Sequence, residues 1–515
     1  MSKYRWLLLC LVIVVNHAWA LERFERLGWF ESNAKVNELV QYPSLVEQVY
    51  RENDDHMIWL DIQQSSQLEF QLEIIKRAGF SPLFTRQLSY LQYFRDSNRW
   101  FEYDVLATDT LLLYMSYAEQ APKLGEQWFF DHKLTKRLAP PSHDAIMALY
   151  TAMELQQLDE LVEAYTPISD NYQGLVENYL QLKHFSEADL PVYRQRGLAK
   201  PGDNLTGRDK LITRLQVVGI DTSQIRTDVS WYDDTLEQAV KQFQRMHGLE
   251  VDGIIGPSTL HWLNLTPNKR MATLALNAER SRLLPAQRDT LIVVNVPSFE
   301  IEFWQEGQSV FHSKVVVGRT TRPTPMMTVN LDALILNPTW NVPYKIMVKD
   351  ILPHIKRDVT YLQRHNMQLL TAWNALEEID PAMIDWSMVN PRNFPYKIRQ
   401  LSGNSNALGL YKFHTPNDRA IFLHDTPSKS LFNKPVRAFS SGCIRVQNAQ
   451  QLAQLLVETQ GLEQFDLAQA QPNSSIPLKR RIPVHIIYQT AWFEAGTIHY
   501  RDDIYRLDTG DHKSG

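Results

Sequence analysis

The sequence predicts a multidomain α+β protein: a helical scaffold, then a small three-helix module, then a mainly β domain with an inserted subdomain. Three observations carry this. The chain has 515 residues, too many for one core and enough for about three or four domains. Apolar residues recur at helical spacing up to about Leu284. From Thr290 the texture changes to short strand-like runs separated by turn residues. The composition, 44% hydrophobic and 22% charged, is globular. The net charge of -5 is diffuse, which argues against a nucleic-acid partner, since that calls for a basic patch.

Residues 1–20 read as a secretory signal peptide. Lys3 and Arg5 form a basic start, Trp6 to Val15 is apolar, and Ala18-Trp19-Ala20 fits a small-x-small cleavage site. The apolar run is shorter than the roughly 20 residues of a bilayer span, so no integral membrane span is expected in the mature chain. Cys10 lies inside the run, and Leu9 and Leu11 beside it do not form a lipoprotein box. Removal of the leader leaves Cys443 as the only cysteine. A lone cysteine in an oxidising compartment has no disulfide partner and is a liability unless buried or used.

Residues 21–204 are expected to form the helical scaffold. Leu68, Leu72 and Ile75 share a helical face that Gly79 ends, and 108–121, 143–155 and 172–188 continue the pattern, with breaks at Pro140-Pro141 and Pro191. Asp131-His132-Lys133 reads as a solvated loop and helix end rather than a catalytic cluster. Trp128-Phe129-Phe130 reads as core or interdomain contact.

Residues 205–267 form the three-helix module. Its helices carry Leu211, Leu215 and Val218, then Leu236, Val240 and Phe243 behind a cap at Asp233 or Asp234, then Leu260 and Leu263. Thr235, Ala239-Val240, Phe243-Gln244, Gly248-Leu249, Asp252-Gly253, Gly256 and Thr259-Leu260 resemble a type 1 peptidoglycan-binding domain. The resemblance, not the spacing, implies a cell-wall ligand. Residues 268–288 read as a linking helix that returns to the scaffold, with Met271, Leu274 and Ala278 on its apolar face.

Residues 289–510 form the sheet domain. Strands are expected over 291–296, 300–304, 308–317 and 327–331, with a turn at Glu306-Gly307. Residues 343–398 look inserted, with short helices at 346–355 and 359–365, and read as a substrate-capping subdomain. Trp373 and Trp386 are expected in its core; His354 and His365 lack partners, and no metal or other cofactor is expected. The sheet resumes over 407–413 and 420–423. After the helix at 449–462, residues 470–481 read as a polar loop, 484–488 and 491–494 as closing strands, and 497–507 as a tail.

His424 and Cys443 stand nineteen positions apart in the stretch from Leu423 to Val446. A thiol is mostly protonated at neutral pH, and a neighbouring histidine activates it by taking the proton. The cysteine follows Ser440-Ser441-Gly442 and precedes Ile444-Arg445, in a turn leading towards a helix whose N–H groups suit an oxyanion. Either residue alone is ordinary core material; together, in a serine- and glycine-rich loop, they indicate an acyl-transfer site.

His424, the spacer and Ser440-Ser441-Gly442-Cys443-Ile444-Arg445 resemble the signature of the YkuD-type L,D-transpeptidases. The order of scaffold, wall-binding module and interrupted catalytic domain is similar to the large periplasmic YcbB-type (LdtD-like) branch of that family. The resemblance implies Cys443 as nucleophile, His424 as base, and the N–H groups of Cys443 and of Gly442 as oxyanion donors. Arg445 is implied to hold either the cysteine loop or a donor carboxylate. Many members have a histidine where Ser441 stands here, so the group orienting His424 is expected to be a backbone carbonyl near Asp425. Around the pair, Tyr411, Ser440, Ser441, Asp425, Trp340 and Tyr344 are candidates for substrate contact, and His414 for the channel border. The implied reaction joins meso-diaminopimelate to meso-diaminopimelate, a 3-3 cross-link, through a cysteine thioester with tetrapeptide stems as donors. The implied setting is the periplasm, against peptidoglycan and beside other wall-synthesis enzymes. Three alternatives share the sequence: an L,D-carboxypeptidase, an enzyme attaching lipoproteins to the wall or releasing them, and a non-enzymatic wall-binding protein.

Overall fold

The computed structural model describes residues 34–508 except 60, 132, 186–189, 376 and 465–470. The expected signal peptide and His132 lie outside the described residues. The architecture is the multidomain α+β arrangement: a helical scaffold, a small helical module, and a mainly β domain.

The scaffold is organised around the helix Trp100–Glu126, which is buried along most of its length. A helix that is apolar on all sides must be surrounded, and Pro43–Glu52, Ile62–Ala78 and Pro82–Asp96 lie among its neighbours. Its buried acids serve other chain segments. Asp109 accepts the N–H groups of Gln41 and Tyr42, and Asp104 those of Ile58 and Trp59.

In the module, the helices Arg208–Val217, Asp234–Met246 and Pro257–Leu263 enclose Leu211, Leu215, Leu236, Val240 and Phe243. Asp233 caps the second helix and pairs with Arg208 at 2.8 Å in the interior. The Gln244 amide fastens the following turn, accepting from Gly253 N and donating to Ile254 O.

The helix Pro267–Arg280 packs on Ile62–Ala78 and Asp170–Lys183, and its far end joins the sheet domain. Arg280, 2% exposed, reaches Asp508 at 2.6 Å and the carbonyls of Tyr488 and Leu507. Beside it, Glu279 accepts from Tyr117 Oη at 2.6 Å and from Arg282 Nε at 2.8 Å, all three within the core. Removing one member of a buried ion pair strands the other charge, at a cost of about 3–5 kcal/mol. Glu279→Ala is therefore expected to lower the melting temperature markedly. A thermal scan showing no shift would contradict the role assigned to this junction.

The sheet domain comprises β1 (Leu291–Asn295), β2 (Glu300–Gln305), β3 (Gln308–Gly318), β4 (Met327–Leu336), β5 (Trp340–Asn341), β6 (Met367–Leu370), β7 (Lys397–Gln400), β8 (Tyr411–His414), β9 (Leu423–His424), β10 (Ala438–Ser440), β11 (Ile444–Val446), β12 (Ser474–Ile487), β13 (Ala491–Glu494) and β14 (Thr497–Tyr500). The main sheet runs β10-β3-β11-β9-β8-β4-β12-β1-β2, and β2 also pairs with β3, closing a barrel. Its interior holds Ile292, Phe303, Val315, Leu334, Phe413, Leu423 and Ile444. The helix Ala449–Thr459 lays Leu452, Ala453 and Leu456 against the same core.

Several expectations are corrected here. The inserted segment contains a sheet of its own, β5-β7-β6, beside its short helices, and a separate core around Leu352, Leu369 and Ile398. Trp386 is in that core but Trp373 is exposed. Residues 474–481 are no loop: β12 runs through them along β4, and a bulge between Pro477 and Ile482 absorbs the proline. The tail after 497 begins as β14, which pairs with β13, and this hairpin returns to the scaffold, where Phe493 N donates to Asn171 Oδ1 at 2.8 Å. Residues 407–410 are a turn before β8. Cys443 leads first into an unexpected strand, β11, before the helix that begins, as expected, at Ala449.

Candidate active site

The site lies on the outer face of the barrel, where β8, β9 and β11 are neighbours. Alternation along each strand turns successive side chains to opposite faces. Tyr411, Phe413, Leu423, Ile444 and Val446 point into the core; Lys412, His414, His424 and Arg445 take the other face. β9 is antiparallel to β8 and parallel to β11, with Lys412 opposite His424 and His424 opposite Arg445. The three side chains thus form one row across three strands.

His424 is buried, and its Nδ1 meets the carbonyl oxygen of Asp425 at 2.5 Å. A carbonyl only accepts, so Nδ1 carries the proton and Nε2 keeps a lone pair. Burial first, then the charges of Arg445 and Lys412, push the imidazole pKa down to about 3. The ring is neutral at working pH.

Cys443 is half-buried at the end of a bend, its Sγ directed at Ala420 O at 3.6 Å. Burial pushes the thiol pKa up, against the opposing pull of a backbone hydrogen bond from Phe422 and then of the charges on Lys412 and Arg445. The bend is held by its own backbone and by serine. Gly442 has φ +121°, the left-handed region that disfavours any side chain. Its N–H donates to Ser440 Oγ at 3.1 Å, and that hydroxyl donates to Cys443 O at 2.5 Å. The N–H of Cys443 meets no acceptor among the described residues. Gly442 N–H is thus engaged, and only the Cys443 N–H is open to an oxyanion in this conformation.

Two supports were not foreseen. Thr324 Oγ1 donates to Gly442 O at 2.8 Å and accepts from Gly318 N at 2.8 Å. Arg322 donates to Ser441 Oγ at 2.9 Å and pairs with Asp350 in the insert, tying that subdomain to the cysteine loop. Lys412 was also missed. The charged position between the inward Tyr411 and Phe413 was its signal.

The remaining sequence candidates separate. Ser440 spends its hydroxyl inside the loop, and Ser441 receives Arg322. Asp425 accepts from Leu410 N at 3.0 Å and from Lys429 at 2.5 Å, bracing the turn where Gly409 leaves no room for a Cβ. Tyr411 turns into the core. Trp340 packs against the insert's core, and Tyr344 Oη donates to Arg392 O at 2.6 Å. Arg445 donates no hydrogen bond among the described residues, and its Nε is buried without a partner. His414 pairs with Asp332 at 2.7 Å. Among the described residues no group of three potential ligands converges on a metal position, and no helix is long and apolar enough to cross a membrane.

Three family models match the chain. Residues 289–471 match the L,D-transpeptidase catalytic domain (YkuD), residues 44–178 a Scaffold domain, and residues 208–263 a "Putative peptidoglycan binding domain". A Haemophilus influenzae protein named "Putative L,D-transpeptidase" is 40% identical over 238 residues, 46% of this chain and 48% of that protein. The chain thus spans about half the length of this relative. Among solved structures, an L,D-transpeptidase from Mycobacterium smegmatis is 11% identical, covering 39% of this chain and 58% of its own, with a TM-score of 0.20. One from Stackebrandtia nassauensis is 12% identical, covering 59% and 98%, with a TM-score of 0.22. The sequence matches fall on the barrel that carries His424 and Cys443 and on the module that precedes it: residues 289–471 are an L,D-transpeptidase catalytic domain of the YkuD type, joined in one chain to a helical scaffold and a peptidoglycan-binding module.

Proposed function

We propose that the chain is an L,D-transpeptidase that forms 3-3 cross-links in peptidoglycan through a thioester on Cys443. The observation that carries this is the pairing, within a YkuD-type domain, of a neutral imidazole held by Asp425 O with a half-buried cysteine one strand away. The thiol proton passes to His424 Nε2, and the sulfur attacks the carbonyl of the third residue of a tetrapeptide stem. The Cys443 N–H receives the oxyanion. The C–N bond breaks, and His424 returns the proton to the departing D-alanine amine. In the second half, the side-chain amine of meso-diaminopimelate on another stem attacks the thioester. His424 takes the amine's proton and returns it to sulfur as the thioester opens. Water in place of that amine gives a carboxypeptidase, so exclusion of water by the insert decides the outcome. The setting that fits is the periplasm, with the module holding the chain on the wall, as in the YcbB-type branch.

The test is intact-mass analysis after incubation with disaccharide-tetrapeptide. The wild type is expected to show a thioester adduct and a dimeric product one D-alanine lighter than two donors, and Cys443→Ala neither. An adduct with only hydrolysed product favours the carboxypeptidase. A folded wild type with no adduct sinks the transpeptidase reading and favours a wall-binding protein.

A further inference from the structure

The row Lys412, His424, Arg445 holds two cations around a neutral imidazole; the acidic group facing both cations is the Cys443 thiol, and among the described residues no carboxylate pairs with either. Like charges on neighbouring strands repel, and buried charges are normally paired. Here they are not. Lys412 lies with Nζ 4.3 Å from the centre of the Phe422 ring and forms no ion pair among the described residues. Arg445 likewise forms no ion pair among the described residues, and its Nε is buried without a hydrogen-bond partner. The carboxylates of this region are engaged elsewhere: Asp425 by Lys429, Asp350 by Arg322, Asp332 by His414.

We propose that Lys412 and Arg445 form a carboxylate-reading pair, with Lys412 selecting a substrate that carries a negative charge beside the carbonyl attacked by Cys443. The ligand class is a peptide with a free carboxylate near the cleaved bond. Only the identification of that peptide as a wall stem rests on the transpeptidase reading. The pair also couples recognition to activation. In the empty site an imidazolium at His424 faces two bare cations; a carboxylate seated on them removes that repulsion, and the imidazole then accepts the thiol proton.

The probe is alkylation of Cys443 by iodoacetate against iodoacetamide, read by peptide mass. In both, sulfur displaces iodide from the CH₂ group: the S–C bond forms, the C–I bond breaks, iodide leaves, and the thiol proton passes through His424 to solvent. The reagents differ in carboxylate against amide. The ratio of iodoacetate to iodoacetamide rates is expected to fall on the order of tenfold in Lys412→Met, the size of one charge-assisted hydrogen bond, and to persist in Lys412→Arg. An unchanged ratio in Lys412→Met overturns the proposal. If that variant unfolds, its iodoacetamide rate equals that of the urea-denatured chain, and Lys412→Gln is read in its place. A second arm compares thioester formation from donors with a free or an amidated carboxylate. If no donor acylates the wild type but the iodoacetate preference depends on Lys412, the transpeptidase reading falls and the pair stands. If donors acylate and neither preference depends on Lys412, the pair falls and the transpeptidase reading stands.

Discussion

Replacing His424 by alanine is expected to slow thioester formation by about 10²–10⁴-fold, the usual range for a positioned proton-transfer group. His424→Gln is expected to fail similarly, because an amide does not accept the thiol proton. The pH profile separates this from a packing effect. The second-order rate of acylation reports groups of the free enzyme. With the imidazole pKa held down to about 3 by burial and by Arg445 and Lys412, the wild-type rate is expected to show no acid limb near 6.5. A limb at that pH in single-turnover mass measurements would remove the neutral-imidazole account. The same shift has a thermal signature. The unfolded chain binds a proton on this residue below about 6.5, while the folded chain stays neutral down to about 3. Stability is therefore present above 6.5 and is lost as pH falls from 6.5 towards 3. The melting temperature of His424→Gln is expected to fall less steeply than the wild type over that interval.

The fold class was legible because local signals agreed. Glu306-Gly307 marked the β2–β3 hairpin, and both residues do have positive φ. Asp233 or Asp234 marked a helix start, and the Asp233 carboxylate does accept from Leu236 N. The strand through 474–481 was illegible for the same kind of reason in reverse. Pro477 and the basic run Lys479-Arg480-Arg481 are loop signals, and only pairing with β4 makes a strand of them. At the site, His424 and Cys443 stand out as residue types, but their neighbours depend on register, which no short stretch encodes. In β8 a step of one residue separates Tyr411, which fills the core, from Lys412, which faces the histidine. Thr324 and Arg322 reach the cysteine loop across a sequence separation of more than a hundred residues, 118 for Thr324 to Gly442. Nothing local announces that contact.

Gly442→Ala is expected to remove acylation by about 10²-fold while leaving the fold in place. A backbone at φ +121° admits glycine and strains alanine by about 1–3 kcal/mol, and the added Cβ would meet Ile421 Cδ1 at 3.3 Å. Relief requires the peptide to rotate. Rotation takes Gly442 O off Thr324 Oγ1 and Gly442 N off Ser440 Oγ, and swings the Cys443 N–H and Sγ with them. A displacement of about 1 Å at the reacting atoms costs about 10²-fold. The loop is also held from the far end of the chain. Tyr505 Oη donates to Gly318 O at 2.6 Å and accepts from Thr324 N at 3.2 Å, while Thr324 carries Gly442. Tyr505→Phe removes both contacts but leaves φ at Gly442 free of strain, so it is expected to cost about tenfold, less than the glycine change. Acylation of Gly442→Ala at the wild-type rate would show that the loop's geometry is not what positions the thiol. An equal loss in both variants would place the control in the Tyr505–Thr324 brace rather than in the glycine's backbone. The ordering of the two losses is the measurement that tells them apart.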